Sequence, residues 1–317
     1  MRVVVALGGN ALQERGLPMT VQHQRDRVAM ACAALAPLAR AHELLITHGN
    51  GPQVGLLALQ AAAYEERSEY PLDVLGAQTE GMIGYLIEQE LGNLLAGDKS
   101  VAAVLTMTEV DPGDPAFADP TKFVGPLYTK QAARRLADRH GWVVKPDGSH
   151  WRRVVPSPLP RRIVELRAVS TLLRDGFVVI STGGGGIPTV REPGSARLVG
   201  VEAVIDKDHA SAVLARDLRA DALLIATDVD AVYADWGGPQ QRAIAHIHPD
   251  SVADLDLPAG SMGPKVTAAA AFARVGSGFA GIGALADLGG LLAGRCGTQV
   301  SMRTPGVSWA TTSSAPG

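Results

Sequence analysis

Five short apolar runs recur along the chain: "VVVAL" (3–7), "LLIT" (44–47), "VAAVLTM" (101–107), "FVVIST" (177–182) and "ALLIAT" (222–227). Near-continuous apolar runs of this kind, lacking the alternation of a half-exposed strand, suit strands covered on both faces. Helical patterns lie between them. Thr20 is the expected N-cap of a helix that puts Val21, Val28, Cys32, Leu35 and Leu38 on one face, and an amphipathic segment runs from about Leu72 to Leu95. Strands alternating with helices predict a mostly parallel sheet between two helical layers.

The rhythm breaks between about Asp111 and Arg162. That stretch is rich in Pro, Gly and charge ("DPGDPAFADPTKFVGPL", "WRRVVPSPLPRR"), with one helix expected at 130–140. A structureless loop so long is unusual in a compact domain, so the segment reads as an inserted lobe or lid over the sheet edge. Its arginine stretches "WRR" and "PRR" read as a solvated face. The tail after Thr304 reads as frayed.

Composition narrows the function classes. The 317 residues are 46% hydrophobic and 19% charged with a net charge of −3, which disfavours a nucleic-acid or membrane-surface binder relying on bulk positive charge. Cys32 and Cys296 have no metal or redox spacing and read as buried thiols of a reducing compartment. Arg2 is followed only by Val3–Leu7 before the first glycines, so no signal peptide is expected. No apolar stretch reaches the roughly 20 residues of a membrane helix. The expected location is the cytoplasm.

Four strand ends carry glycine or small polar residues: Gly8-Gly9-Asn10, His48-Gly49-Asn50-Gly51, Gly183–Gly186 and Thr227-Asp228-Val229-Asp230. Ligands of open α/β sheets sit at the carboxyl ends of strands, so the four turns are expected to border one crevice. Adjacent glycines let backbone approach a phosphate, and four in a row are expected to leave room for a bulky ligand with many oxygens. Yet the spacing is neither G-x-x-x-x-G-K-[ST] nor G-x-G-x-x-G, and no lysine stands near Gly8. The positive charge must come from elsewhere. Lys207 lies between Asp206 and Asp208 in "VEAVIDKDHASAVLA"; Lys265 begins an Ala-rich helix in "GSMGPKVTAAAAFA"; Lys122 lies in the lid segment "DPTKFVGP". A lysine in a first helical turn opposes the macrodipole, which is unfavourable without an anion nearby. A plainer reading makes Asp208 an N-cap and Lys207 a solvated residue. No nucleophile elbow or H-E-x-x-H zinc spacing occurs. His246 and His248 read as surface histidines of a strand, and His48 as structural.

Taken in order, "VVALGGNAL", "HGNGPQVG", "GGGGIP", "GVEAVIDKD" and "GSMGPK" span nearly the whole chain and resemble the carbamate kinases of the amino-acid kinase superfamily; "PTKFVGP" and "WRRVVPSP" are similar to that family's inserted, protruding subdomain. The wider superfamily has a lysine just before the first Leu-Gly-Gly where this chain has Ala6, and by resemblance Lys207 supplies that charge from another strand end. Smaller departures are Phe123, Leu127, Leu159 and Gly263.

The resemblance implies an open three-layer αβα sandwich with about eight mostly parallel strands. It implies a single domain over 1–317: a carbamate and phosphoryl lobe at about 1–200 with the lid at about 111–162, a nucleotide lobe at about 201–304, and a flexible tail at 305–317. The implied activity is reversible phosphoryl transfer between ATP and carbamate, in the ATP-forming direction, within arginine metabolism. Mg²⁺ would be held mainly by the nucleotide phosphates rather than by a protein site. The implied assembly is a homodimer, with no nucleic-acid or membrane partner. By resemblance Lys207, Asp208, Lys265, Lys122 and Asn10 are catalytic; Gly8, Gly9, Gly49, Asn50, Gly51, Gly184 and Gly185 bind the substrate; and Thr227, Asp228, Val229, Tyr233 and Met262 bind the nucleotide. Alternatives are a related kinase with another small acid or phosphate acceptor, and a non-catalytic nucleotide-binding regulator.

Overall fold

The computed structural model describes residues 1–12, 20–64, 70–258, 260–275 and 278–310. The chain opens with β1 (Arg2–Leu7), α1 (Gly9–Leu12), α2 (Val21–Ala41), β2 (Glu43–His48), α3 (Gly51–Tyr64) and α4 (Leu72–Leu95). The run at 101–107 divides into β3 (Val101–Ala103) and the start of β4 (Met107–Val110). Next come β5 (Lys122–Tyr128), α5 (Lys130–His140), β6 (Val143–Asp147), β7 (His150–Val155), β8 (Pro160–Ile163) and α6 (Leu166–Arg174). β9 (Val178–Ile180), β10 (Ile187–Arg191), β11 (Leu198–Gly200), α7 (Lys207–Asp217) and β12 (Ala222–Thr227) follow. The chain continues through β13 (Val232–Ala234), β14 (Arg242–Ile247), α8 (Met262–Val275), β15 (Phe279–Ala284), α9 (Leu288–Leu292), β16 (Thr298–Val300) and β17 (Val307–Trp309).

The central sheet runs β13-β14-β16-β15-β12-β1-β2-β9-β3, with β17 added on β14, which makes ten strands among the described residues rather than about eight. It is parallel from β15 through β12, β1, β2 and β9 to β3, and antiparallel where β13–β14, β15–β16 and β14–β17 pair. β17 corrects the expectation of a frayed tail: Val307–Trp309 pairs with Ile244–Ile247. Residues 311–317 lie outside the described residues.

Strand periodicity divides the core into two layers. Val3, Val5 and Leu7 join α2, α4 and α9 on one face; Val4 and Ala6 join α6, α7 and α8 on the other. Thr20 caps α2, its Oγ1 accepting from His23 N–H at 3.2 Å. α2 buries Val28, Cys32, Leu35 and Leu38 as its pattern requires, but Val21 is exposed because it opens the helix ahead of the buried stripe.

The segment expected to form a lid holds a three-stranded antiparallel sheet, β5-β7-β6, packed with α5, whose ends are capped by Thr129 and Gly141. This unit is narrower than 111–162, because β4 and β8 pair with one another and with β10 and β11 in a separate four-stranded sheet. Its arginines are not all solvated. Arg152 bonds the Gly125 carbonyl and Asp147, and Arg153 lies over the Trp142 ring and 3.6 Å from Glu202. Arg161 and Arg162 are exposed and pair with Asp111 and Glu109. The lid meets α3 by backbone approach: a Cβ on Gly55 would stand 2.8 Å from Gly125 Cα.

Candidate active site

Parallel pairing sets β12, β1, β2 and β9 side by side, so all four sequence-selected turns stand in a row at one edge of the sheet. The ladder continues into the turns. Gly8 N–H donates to the Ala226 carbonyl at 3.2 Å, Gly49 N–H to the Leu7 carbonyl at 3.1 Å, and Ser181 N–H to the Ile46 carbonyl at 3.0 Å. This corrects one expectation. Gly8 is adjacent to the site, but its N–H is engaged by the neighbouring strand and is not aimed at a ligand.

The missing charge arrives from α7 and α8. Asp206 caps α7, its Oδ1 accepting from the backbone N–H of Asp208 at 2.9 Å and of His209 at 3.4 Å. The cap is therefore Asp206, not Asp208. With its own backbone fixed in the first turn, Asp208 turns its carboxylate to two ammonium groups: Lys207 on Oδ1, and Lys265 on Oδ2 at 2.9 Å. Lys122 reaches from the lid to Asp206 Oδ2 at 2.7 Å. Three cations thus face two carboxylates, leaving one positive charge in excess.

The stem of Lys207 runs over the first two turns. A Cβ on Gly49 would lie 3.2 Å from Gly9 N and 3.6 Å from Lys207 Cδ, so glycine at 49 permits the close approach of all three. Lys207 is held by hydroxyls as well: Ser211 Oγ donates to its carbonyl at 2.6 Å and stands 2.6 Å from Thr47 Oγ1 at the end of β2. Sequence reasoning did not assign roles to Asp206, Ser211 or Thr47; the i to i+4 spacing of Lys207 and Ser211 on one helix was the available signal.

Electrostatics follow the geometry. Burial raises the Asp208 carboxyl, but the ammonium groups of Lys207 and Lys265 outweigh it and hold it below the usual carboxylate range. Asp206 is likewise raised by burial and lowered further by Lys122. Lys207 moves down, first through burial and then through repulsion from Lys265, against the pull of Asp208. Two cations on one carboxylate account for the fall at Asp208, while at Lys207 burial leads and the second cation adds to it. Such a cluster is completed by an anion.

The Gly183–Gly186 turn is buried, and it is not vacant. An added Cβ would meet the His48 ring at 2.4 Å from Gly183, Asn50 Nδ2 at 2.1 Å from Gly184, the Ile205 carbonyl oxygen at 2.5 Å from Gly185 and Thr108 Oγ1 at 2.1 Å from Gly186. This corrects the sequence expectation of ligand room: the protein's own groups fill the space. Gly184 and Gly185 instead back the second turn. Asn50, beside Gly184, donates from Nδ2 to Thr79 Oγ1 at 2.8 Å. Gly51 begins α3 with open space about its Cα. Gly9 begins α1, with Pro52 Cδ 4.0 Å from the place of a Cβ, and Asn10 follows it in that short helix.

On the other flank, Thr227, Asp228 and Val229 leave β12 beside Gly8, with Thr227 Oγ1 donating to Asp228 Oδ1 at 3.0 Å. Tyr233 donates to Asp230 Oδ1 at 2.9 Å and meets Trp236 edge to face, its ring 5.2 Å from the indole. Trp236 is exposed and was not singled out in the sequence. Met262 opens α8 and packs on the second core layer, three residues before Lys265.

The remaining candidates are the histidines and cysteines. His48 is buried at the second turn, its Nδ1–H donating to the Gly49 carbonyl at 3.1 Å; burial lowers it to about 4. His246 lies in β14, and His248 Nδ1 accepts from Asp250 N–H at 3.3 Å. Among the described residues no three His, Cys, Asp or Glu side chains gather as metal ligands, and no helix is long and apolar enough to cross a membrane. Cys32 is buried, which pushes its thiol up to about 12, whereas Cys296 is exposed, contrary to expectation.

The profile of the amino acid kinase family matches residues 1–278. The carbamate kinase of Rhizobium meliloti is 55% identical over 310 residues, covering 98% of this chain and 96% of the relative. That of Haemophilus influenzae is 53% identical over 309 residues, covering 98% and 99%. Among solved structures, the carbamate kinase of Giardia lamblia bound to AMP-PNP superposes with a TM-score of 0.86 at 38% identity, over 95% of this chain and 98% of that one. The UMP kinase of Bacillus anthracis, 15% identical with a TM-score of 0.52 over 98% of each chain, shares the fold.

Proposed function

The chain belongs to the amino acid kinase family and is a phosphotransferase, and we propose that it moves a phosphoryl group reversibly between ATP and carbamate, giving ADP and carbamoyl phosphate. The observation that carries this reading is the pairing of Lys207 and Lys265 on the single carboxylate of Asp208 beside Gly9 and Gly49. A phosphoryl group in transfer spreads negative charge over its equatorial oxygens, and catalysis consists mainly of neutralising that charge and aligning the reactants. The cluster provides a buried positive excess without offering a nucleophile.

In the ATP-forming direction a β-phosphate oxygen of ADP attacks phosphorus, the new P–O bond forms as the bond to the carbamate oxygen breaks, and the electron pair leaves with carbamate. Lys207 and Lys265 would hold the equatorial oxygens from opposite sides of Asp208. Lys122 would exchange Asp206 for the ligand as the lid settles. The backbone of Gly9 and Asn10 would meet the phosphoryl group, and Gly49, Asn50 and Gly51 would frame carbamate. Thr227, Asp228, Val229, Tyr233 and Met262 would border the nucleoside.

Mg²⁺ fits this site as a passenger of the nucleotide, because the carboxylates of the lysine cluster, Asp206 and Asp208, are already held by lysines. When bound, it supplies charge neutralisation at the nucleotide phosphates. A homodimer, a cytoplasmic location and a role in arginine metabolism belong to the same proposal.

The test is a coupled assay for ATP made from ADP and carbamoyl phosphate, with a parallel screen of small acids as acceptors of the γ-phosphoryl of ATP. Turnover with carbamoyl phosphate, and with carbamate in the reverse direction, is expected. Turnover confined to another acid would overturn the choice of substrate.

A further inference from the structure

We propose that the buried carboxyl of Glu80 is a positioning residue for the carbamate side of the site, holding the Gly183–Gly186 turn and the Asn50 side chain through Thr106 and its own helix. The proposal rests on the reaction assigned above. Glu80 lies in the middle of α4, 4% exposed, and touches no reacting group.

Its Oε2 accepts from Thr106 N–H at 3.0 Å. Thr106 in turn brackets the glycine turn at both ends. Its Oγ1 accepts from Thr182 N–H at 3.1 Å, and its carbonyl accepts from Ile187 N–H at 2.8 Å. Thr182 has φ of 56°, a left-handed conformation uncommon for a β-branched residue, so the bond to Thr106 holds a strained start to the turn. Glu80 also packs on the turn directly: a Cβ on Gly183 would fall 2.6 Å from Glu80 Cγ and 2.4 Å from the His48 ring. The preceding residue, Thr79, accepts the Asn50 amide, and Asn50 occupies the place a side chain at 184 would need. One turn of α4 therefore sets Asn50 and its backing loop together.

Burial favours the protonated form of the carboxyl. Burial pushes it up to about 8, against the Thr106 and Gly183 N–H groups that favour the anion and with Glu165 adding repulsion. Glu80 Oε1 is buried without a hydrogen-bond partner among the described residues, which suits a protonated oxygen better than a bare charge. A cavity of about 220 Å³ behind the turn is bordered by Glu80, His48, Glu88, Tyr85 and Ser181. The titratable groups around Glu80 are His48 from β2, Glu88 and Tyr85 from α4, Glu165 before α6, and Lys207 beyond His48. Only the first three share its cavity.

The experiment compares wild type, Glu80→Gln and Glu80→Leu in the ATP-forming assay from pH 6 to 9. Glutamine reproduces the protonated carboxyl, whereas leucine removes the acceptor. Glu80→Leu is expected to lower kcat/KM for carbamoyl phosphate about 10- to 100-fold, since small misplacements near a reacting centre have effects of that order, with the KM for ADP unchanged. Glu80→Gln is expected to match wild type at pH 7 and to lack the component of its alkaline decline centred near pH 8. Unchanged kcat/KM in Glu80→Leu, a loss in Glu80→Gln as large as in Glu80→Leu, or identical pH profiles for wild type and Glu80→Gln would each overturn the proposal. If Glu80→Leu does not fold, the two remaining pH profiles decide. Amide hydrogen exchange at 182–187, faster in Glu80→Leu than in Glu80→Gln, reads the turn without turnover. A wild type that makes no ATP would overturn the assigned reaction, whereas an active wild type with indifferent Glu80 variants would overturn this proposal alone.

Discussion

Lys265 donates to Asp208 Oδ2 at 2.9 Å across 57 residues of chain, while Lys207 holds the other oxygen of the same carboxylate. Asp208→Asn keeps the shape but removes the charge that two buried ammonium groups share. Loss of transition-state charge placement predicts a fall in kcat of about 10²-fold or more. Because breaking a buried pair leaves cations uncompensated, thermal stability should fall as well, by about 3 kcal/mol or more. Steady-state kinetics and calorimetry measure both, and a stable, fully active Asp208→Asn would show that the lysines need no common anchor.

Lys207→Ala removes one of the two cations and leaves Asp208 paired with Lys265. The fold should persist, judged by an unchanged circular dichroism spectrum, while kcat drops by about 10²-fold or more. Near-normal turnover would mean that the phosphoryl charge is met elsewhere.

The glycines of the third turn are packed against the protein's own groups, and the packing and ligand-room explanations separate in the ligand-free protein. Gly184 has φ of 65° and faces Asn50, so Gly184→Ala combines an unfavourable conformation with a clash. A loss of about 1–3 kcal/mol is expected without any substrate present. Unchanged melting of the ligand-free variant, with only substrate affinity reduced, would restore the ligand-room explanation.

His48 makes stability depend on acid. Burial holds its folded-state value at about 4, below the ordinary 6.5, so the unfolded chain binds a proton that the native state excludes. Between those values stability therefore rises with pH and is lost on acidification, by about 3 kcal/mol in full at roughly 1.4 kcal/mol per unit. His48→Gln should flatten the denaturation midpoint between pH 6.5 and pH 4. A wild-type slope preserved in that variant would place the acid sensitivity in another group.

Glu80 has the opposite dependence. With its folded-state value raised from 4.5 to about 8, the native state keeps a proton that the unfolded chain has released, and stability falls as pH rises through that window. The melting temperature of Glu80→Gln relative to wild type should climb from pH 5 to pH 8. A constant difference would show that Glu80 does not titrate there.

Much of the site was legible because it is written at strand ends. β1, β2, β9 and β12 fall on the runs read from hydropathy, α5 on the expected 130–140, and the parallel pairing of four of those strands follows from their being apolar on both faces. Short-period patterns miss what depends on a partner elsewhere in the chain. Val21 breaks its stripe because cover is absent at the helix start; β17 is too short to announce itself without β14; Arg152 and Arg153 look solvated until Gly125, Trp142 and Glu202 are placed beside them.

The amino-acid sequence alone determined the layered architecture, the four turns and the identity of the three lysines, because apolar period, glycine placement and charge are local properties. Tertiary structure alone decided that Asp206 caps while Asp208 bridges, that the third glycine turn is filled by His48, Asn50 and Thr108, and that Gly8 donates to β12. Each of those depends on which groups meet across strands and helices far apart in the chain, where directional hydrogen bonds and excluded volume, rather than residue type, choose the partner.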